Sequence, residues 1–187
     1  MSENLPNTIP GLFLKTLFSQ IKKEFGKEKL EKIISQVPEL RSIHMTGSYP
    51  VELELQLRKQ MLSSLFGKDN RENRLKLGRF HCRAVAGTSF GAAFLNLGML
   101  KDPKRLVRGV VTLNNTFTGG MKTIGKITGE NTAITRFENY PYHPDHYEGV
   151  IQQGIDIVGG KMKVETKVID PRVVEYHLSW KREMKKS

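Results

Sequence analysis

KMKVETKVIDPRVVEYHLSW, residues 161–180, decides the fold. Over Lys161–Ile169 the side chains alternate: Met162, Val164 and Val168 fall on one side, Lys161, Lys163, Glu165 and Lys167 on the other. That period of two belongs to a half-buried strand. Asp170-Pro171 makes a turn, and Val173–Trp180 returns as a second strand. Upstream, Lys122–Thr128 and Thr132–Phe137 flank Gly129-Glu130-Asn131 and read as another hairpin. Between the hairpins, Pro144–Val158 sets Tyr147, Val150, Ile151, Ile155 and Val158 on one helical face and stops at Gly159-Gly160. Two hairpins separated by a helix predict a four-stranded, mainly antiparallel sheet with helices packed on it.

Before about residue 120 the apolar period is helical. Thr8 as a cap and Pro10 in the opening turn start a helix with Phe13, Leu17, Phe18, Ile21 and Phe25 on one face, and Gly26 ends it. A second helix covers Lys27–Gln36, with Leu30, Ile33 and Ile34 on one side. Residues 49–66 carry mixed signals. Val51, Leu53, Leu55 and Leu57 alternate like a strand, but Leu57, Met61 and Leu65 recur four apart among strong helix formers, so the segment reads as helix up to Gly67. Further helices are expected over Arg71–Ala86, over Ser89–Leu100, and from Pro103 to about Asn114. The fold class is therefore α+β, a helical N-terminal half followed by a ββαββ four-stranded antiparallel sheet. The 187 residues suit one domain, with 181–187 as a basic tail, and can bury a core without disulfides or metal staples.

The net charge of +11 is unevenly spread. Arg71–Lys126 holds eleven Lys/Arg against Glu72 and Asp102, a net +9, whereas Glu130–Gly160 is a net −4. This asymmetry points to an anionic partner or to a self-complementary contact, including one across a homodimer axis. Cys82 is the one cysteine, which excludes an internal disulfide and a cysteine-based zinc site. The N-terminus lacks a signal-peptide pattern, and no apolar run approaches the roughly 18–20 residues of a membrane span, so the expected location is the cytoplasm.

The closing run HYEGVIQQGIDIVGGKMKVETKVIDPRVVEYHLSW resembles the terminal helix–hairpin of an uncharacterised domain family expanded in myxobacteria and relatives. The matching pattern is Tyr147, Gly149, an apolar helix with Gly154, the stop at Gly159, the strand from Lys161, and Trp180. LGRFHCRAVAGTSFGAAFLNLG and Asn115–Gly119 are similar too. More distantly the unit is similar to a superfamily of ligand-binding domains that includes the vinyl-reductase regulatory domain, small vesicle-tethering subunits and the haem nitric-oxide sensors. That kinship implies helices on a twisted antiparallel sheet, often around an apolar pocket and often in a dimer. It implies no catalytic residue, and fold kinship alone does not fix a ligand.

Several residue clusters invite chemistry. His143, Asp145 and His146 lie within FENYPYHPDHYEG, but their i,i+3 spacing across a proline is not that of a helical two-histidine metal motif, and Asp145 and Glu148 suit the first turn of a helix. His81 or Cys82 could ligate a haem, yet both sit in an apolar-periodic helix, and the tyrosine–serine–arginine signature of the nitric-oxide sensors is missing. GTSFG, Gly87–Gly91, spells a nucleophile elbow, but a helix precedes Ser89 where a strand is needed. No nucleic-acid-binding motif accompanies the basic stretch.

The leading expectation is a non-enzymatic ligand-binding or adaptor domain of a cytoplasmic regulatory system, with no cofactor and no metal. Its ligand, small and partly apolar, would sit between helices 71–113 and the sheet, with Arg79, Arg83, Lys104 and Arg108 at the rim. Its partners would be a small molecule or a protein of anionic character, and a second copy. The alternatives are a module docking by charge onto nucleic acid or an anionic membrane, and an enzyme using His143, Asp145 and His146.

Overall fold

The computed structural model describes residues 7–88, 91, 103–157 and 159–181. The chain opens with β1 (Thr8–Pro10), α1 (Gly11–Phe25) and α2 (Lys27–Gln36), passes a 3-10 turn (Pro38–Ser42), and enters β2 (Ser48–Pro50) and α3 (Val51–Met61). A π-helical stretch, Leu62–Phe66, extends α3 to Gly67. Then come α4 (Arg71–Ala86), α5 (Pro103–Phe117), β3 (Lys122–Gly129), β4 (Thr132–Glu138), α6 (Pro144–Ile157), β5 (Met162–Asp170) and β6 (Val173–Trp180). The four long strands form one sheet in the order β3-β4-β6-β5, antiparallel throughout. The predicted helical half and ββαββ sheet are both present. The helix expected over Ser89–Leu100 and the basic tail beyond Lys181 lie outside the described residues.

Three expectations need correction or completion. Thr8 does not cap α1. It lies in β1, which pairs with β2 in the register Thr8↔Pro50, and its backbone also exchanges hydrogen bonds with Gly119. Pro10 takes the cap position without a side-chain bond. The N–H of Gly11 instead donates to the Gly47 carbonyl at 2.7 Å, so a tertiary contact satisfies the donor that a local cap would have taken. Second, Val168 shares a face with Met162 and Val164, as read, and pairs with the buried Val174, yet it is 61% exposed, because it lies near the end of an edge strand where nothing among the described residues covers it. Third, the strand-like alternation of residues 51–57 ends as helix, as read, but β2 precedes it as a three-residue strand that the helical reading had absorbed.

Two apolar clusters organise the interior. One joins α1, α2, α3 and α4 through Leu14, Ile21, Ile33, Leu40, Leu57, Met61 and Phe80. The other lies between the sheet, α5 and α6, and is built on Phe137, Tyr140, Val174, Tyr176 and Val107. α4 and α6 cross between them at backbone contact. A Cβ on Gly78 would stand 1.8 Å from the His146 carbonyl oxygen, and one on Gly149 would stand 2.2 Å from that of Leu75. Each helix therefore presents a glycine to the other's backbone.

The two charged segments meet at this crossing, inside one chain. Arg71 donates to both Glu148 oxygens at 3.0 and 3.1 Å, Arg74 reaches Asp145 at 3.4 Å, and Arg79 donates to Asp156 at 2.6 Å. The charge asymmetry of the sequence is thus partly an α4–α6 contact, which removes one motive for a dimer.

Candidate functional site

Between the two clusters lies a cavity of about 250 Å³. Its walls come from α1 (Phe13, Leu17), α4 (Val85, Ala86), α5 (Leu106, Val107, Val110, Leu113), α6 (Val150, Ile151) and the sheet (Met162, Leu178). These walls are apolar because the inward-facing stripes of four helices and one face of the sheet meet there without filling the space. Cys82 also lines it, and burial pushes its thiol up to about 11, which keeps it protonated and inert at neutral pH.

One end of the cavity is polar. Glu54, Arg58, His81, Tyr142 and His146 contribute to its lining, drawn from α3, α4, α6 and the loop before α6. Glu54 is 2% exposed. One of its carboxylate oxygens accepts from Nε of Arg58 at 3.0 Å and also from Nη2, and the other accepts from the Tyr142 hydroxyl at 2.6 Å. The Arg58 guanidinium lies 3.9 Å from the centre of the Tyr142 ring, a cation–π contact. Its Nη1 reaches Nδ1 of His146 at 2.7 Å, and Nε2 of His146 stands 2.9 Å from Nδ1 of His81. Nε2 of His81 is buried and has no hydrogen-bond partner among the described residues.

The tautomers follow from this pattern. Arginine carries only donors, so Nδ1 of His146 must accept at the shorter of its two Arg58 contacts. The neutral ring then holds its hydrogen on Nε2 and donates to Nδ1 of His81. His81 in turn carries its hydrogen on Nε2, the one ring position left open. Both rings are held neutral. Burial, and after it the Arg58 charge, place both pKa values well below the ordinary 6.5.

That depression has a measurable consequence. The unfolded chain takes up protons on these two histidines as the pH falls through about 6.5, and the folded chain does not. The native state gains the full contribution above 6.5 and loses it progressively below, by roughly 1 kcal/mol per pH unit for each histidine. Urea unfolding at pH 7.5, 6.5 and 5.5 is expected to show that loss. In a His81→Leu/His146→Leu double variant the loss over this interval is expected to shrink.

The residues singled out by sequence are distributed as follows. His146 is buried in the polar end, whereas His143 is about half exposed and turned outward, its Nε2 2.7 Å from Arg74 and its Nδ1 3.2 Å from Asp145. The three residues His143, Asp145 and His146 therefore do not converge on one point. His81 and Cys82, read as possible haem ligands, both line the cavity. Arg79 bonds Asp156 and Gln152, and Arg83 bonds Glu24 at 3.2 Å. Lys104 and Arg108 lie in the first two turns of α5, Arg108 exposed. None of these four rim candidates is among the residues that line the cavity. Glu54, Arg58 and Tyr142 were not anticipated. Their only local signal is spacing: Glu54/Arg58 and Tyr142/His146 are both i,i+4 pairs, and Glu54 falls within a helix of otherwise amphipathic pattern.

Among the described residues no helix is long and apolar enough to cross a membrane. Solved structures share the fold at low sequence identity. The Fe(II) unliganded H-NOX protein from K. algicida matches with a TM-score of 0.69 at 14% identity, over 94% of this chain and 98% of that one. A structure from work on the molecular mechanism of H-NOX activation matches with 0.71 at 12%, over 93% and 97%. One from work on haem distortion in the H-NOX family matches with 0.71 at 12%, over 96% and 100%. The fold is thus that of the H-NOX haem nitric-oxide sensor domains. No curated protein matches the sequence. The family model for a protein of unknown function (DUF2378) matches residues 5–181, and the chain belongs to that family.

Proposed function

We propose that this chain is a non-enzymatic ligand-binding domain of the sensor type, which holds a small molecule in the cavity between α1, α4, α5, α6 and the sheet. The observation that carries the reading is the cavity itself, a space of about 250 Å³ with apolar walls and a buried polar cluster at one end. Closely packed interiors keep few such spaces, and an apolar pocket with a few convergent polar groups is the usual form of a ligand site. The H-NOX-like fold supports it as analogy. Charge-driven docking is less well supported. Arg71, Arg74, Arg79 and Arg83 of α4 are already paired with Glu148, Asp145, Asp156 and Glu24, so fewer cations face solvent unopposed than the sequence suggested.

Haem, the group named for one of the similar structures, does not fit the residues present. An axial histidine offers iron a lone pair on a ring nitrogen. Both nitrogens of His146 are engaged, and the open nitrogen of His81 carries its hydrogen. Moving that hydrogen to Nδ1 would force one onto Nδ1 of His146, facing the Arg58 donor at 2.7 Å.

Gly154 provides the test. It lines the cavity, and among the described residues a Cβ there would meet only Cys82 Sγ, at 3.9 Å, so a larger side chain enters the cavity. Native mass spectrometry of the purified chain is expected to show a bound small molecule, and Gly154→Phe is expected to fold normally and lose it. Retention of the same molecule by Gly154→Phe would overturn the reading.

A further inference from the structure

We infer that the ligand class of this cavity is a small, neutral, largely apolar molecule bearing one carbonyl-type oxygen, seated on the Nε2–H of His81. The inference rests on the cavity reading and narrows it. Three observations converge on it.

The first is saturation. At the polar end, each of the three Arg58 nitrogens bonds Glu54 or His146, Glu54 accepts from Arg58 and Tyr142, and both nitrogens of His146 are used. His81 Nε2 is the one atom of the network with no partner among the described residues. A buried donor left unpaired costs more than a made hydrogen bond returns, so an acceptor placed against it is favoured well beyond the apolar contact alone. The second is charge. Glu54 and Arg58 cancel, and both histidines are neutral, so the pocket offers no surplus positive charge to a carboxylate. An anion brought there would be desolvated without compensation. The third is size. A cavity of 150 Å³ accommodates benzene, so about 250 Å³ takes roughly ten heavy atoms. A porphyrin is several times larger.

The pair Arg58–His146 is the device that sets this preference. It acts on the ligand only through His81, as a positioning element, by dictating which nitrogen of His81 carries hydrogen. Without the short Arg58 contact His146 could take either tautomer, and His81 could present a lone pair as readily as a donor.

The test uses the full chain and three probes of matched shape: acetophenone with a carbonyl, α-methylstyrene with a methylene in its place, and benzoate with a charge. Calorimetric titration is expected to give acetophenone about tenfold tighter binding than α-methylstyrene, the ratio set by one buried hydrogen bond, and benzoate weaker than either. His81→Leu is expected to bind the two neutral probes equally. Independently of binding, two-bond proton–nitrogen correlation spectra of the wild-type chain are expected to show the Nε2–H tautomer at His81. Ferric protoporphyrin is expected to give no histidine-ligated absorption band. Equal or tighter binding of α-methylstyrene, tighter binding of benzoate, an Nδ1–H tautomer at His81, or a ligated porphyrin band lost in His81→Leu would each overturn the inference and leave the cavity reading standing. If neither neutral probe binds the wild-type chain, and Gly154→Phe changes nothing in its mass spectrum, both fall.

Discussion

Glu54→Ala is expected to destabilise the fold by about 3–5 kcal/mol, the range observed when one partner of a buried ion pair is removed. The Glu54 side chain is 3% exposed and the Arg58 side chain 12%, so neither ion has bulk water to fall back on. Among the described residues, deleting the acid leaves the guanidinium over the Tyr142 ring with one acceptor, Nδ1 of His146, and strips the Tyr142 hydroxyl of its acceptor. Each orphaned group then adds its own desolvation cost. Chemical denaturation followed by circular dichroism reads the loss. The cost belongs to the stranded partners rather than to the pair as such, so Glu54→Leu combined with Arg58→Met is expected to recover most of it. A single-variant loss below about 1 kcal/mol, the scale of an exposed pair, would show that water reaches this cluster.

Gly78→Ala is expected to cost about 3 kcal/mol or more, although glycine to alanine inside a helix ordinarily gains up to about 1 kcal/mol. The reversal of sign comes from what the new methyl group meets. Its carbon would stand 1.8 Å from the His146 carbonyl oxygen and 2.9 Å from the Val150 nitrogen, both backbone atoms of α6 that no rotamer change can move. The helices must separate, and α6 carries the His146 ring with it, away from His81. Gly149→Ala is expected to behave alike from the opposite side, where the obstacle is the Leu75 carbonyl. Gly154→Ala, on the same helix but facing open space, is the control and is expected to be neutral or stabilising. Thermal unfolding of the three variants side by side checks the ordering. A Gly78→Ala protein as stable as Gly154→Ala would mean that the helix crossing is looser than described.

The parts of the fold legible in the sequence are those whose signal is local. The Arg71–Ala86 and Lys27–Gln36 helices and the Val173–Trp180 strand have the bounds that their apolar period and flanking residues dictate. The β1–β2 pair was not legible. Three residues are too few to show a period, and the pairing partner lies some forty positions away. Thr8 shows the same limit from another side, since its local competence as a cap lost to a sheet that only tertiary contact creates. At the site, the apolar wall could be anticipated from the helical stripes, and His81 stood out as a histidine on an apolar face. What made it chemically distinctive, its bond to His146 and the hold of Arg58 on that ring, joins positions 58, 81 and 146 from three helices. No spacing rule links residues that far apart, and the same is true of the Tyr142–Glu54 bond.

Among the described residues the sheet ends in two unpaired edges, β3 and β5, and an open edge is a template for pairing with another chain. Lys122 and Lys126 are exposed on one of them, Lys163 and Lys167 on the other. On β5, Lys167 directly precedes Val168 and Ile169, the most exposed apolar pair of the sheet. Strand addition between two copies at either edge would bring ammonium groups face to face, a repulsion that only high salt relieves. Part of the net +11 therefore acts as a guard against aggregation, placed at the positions where an unprotected sheet would begin to grow into a fibre.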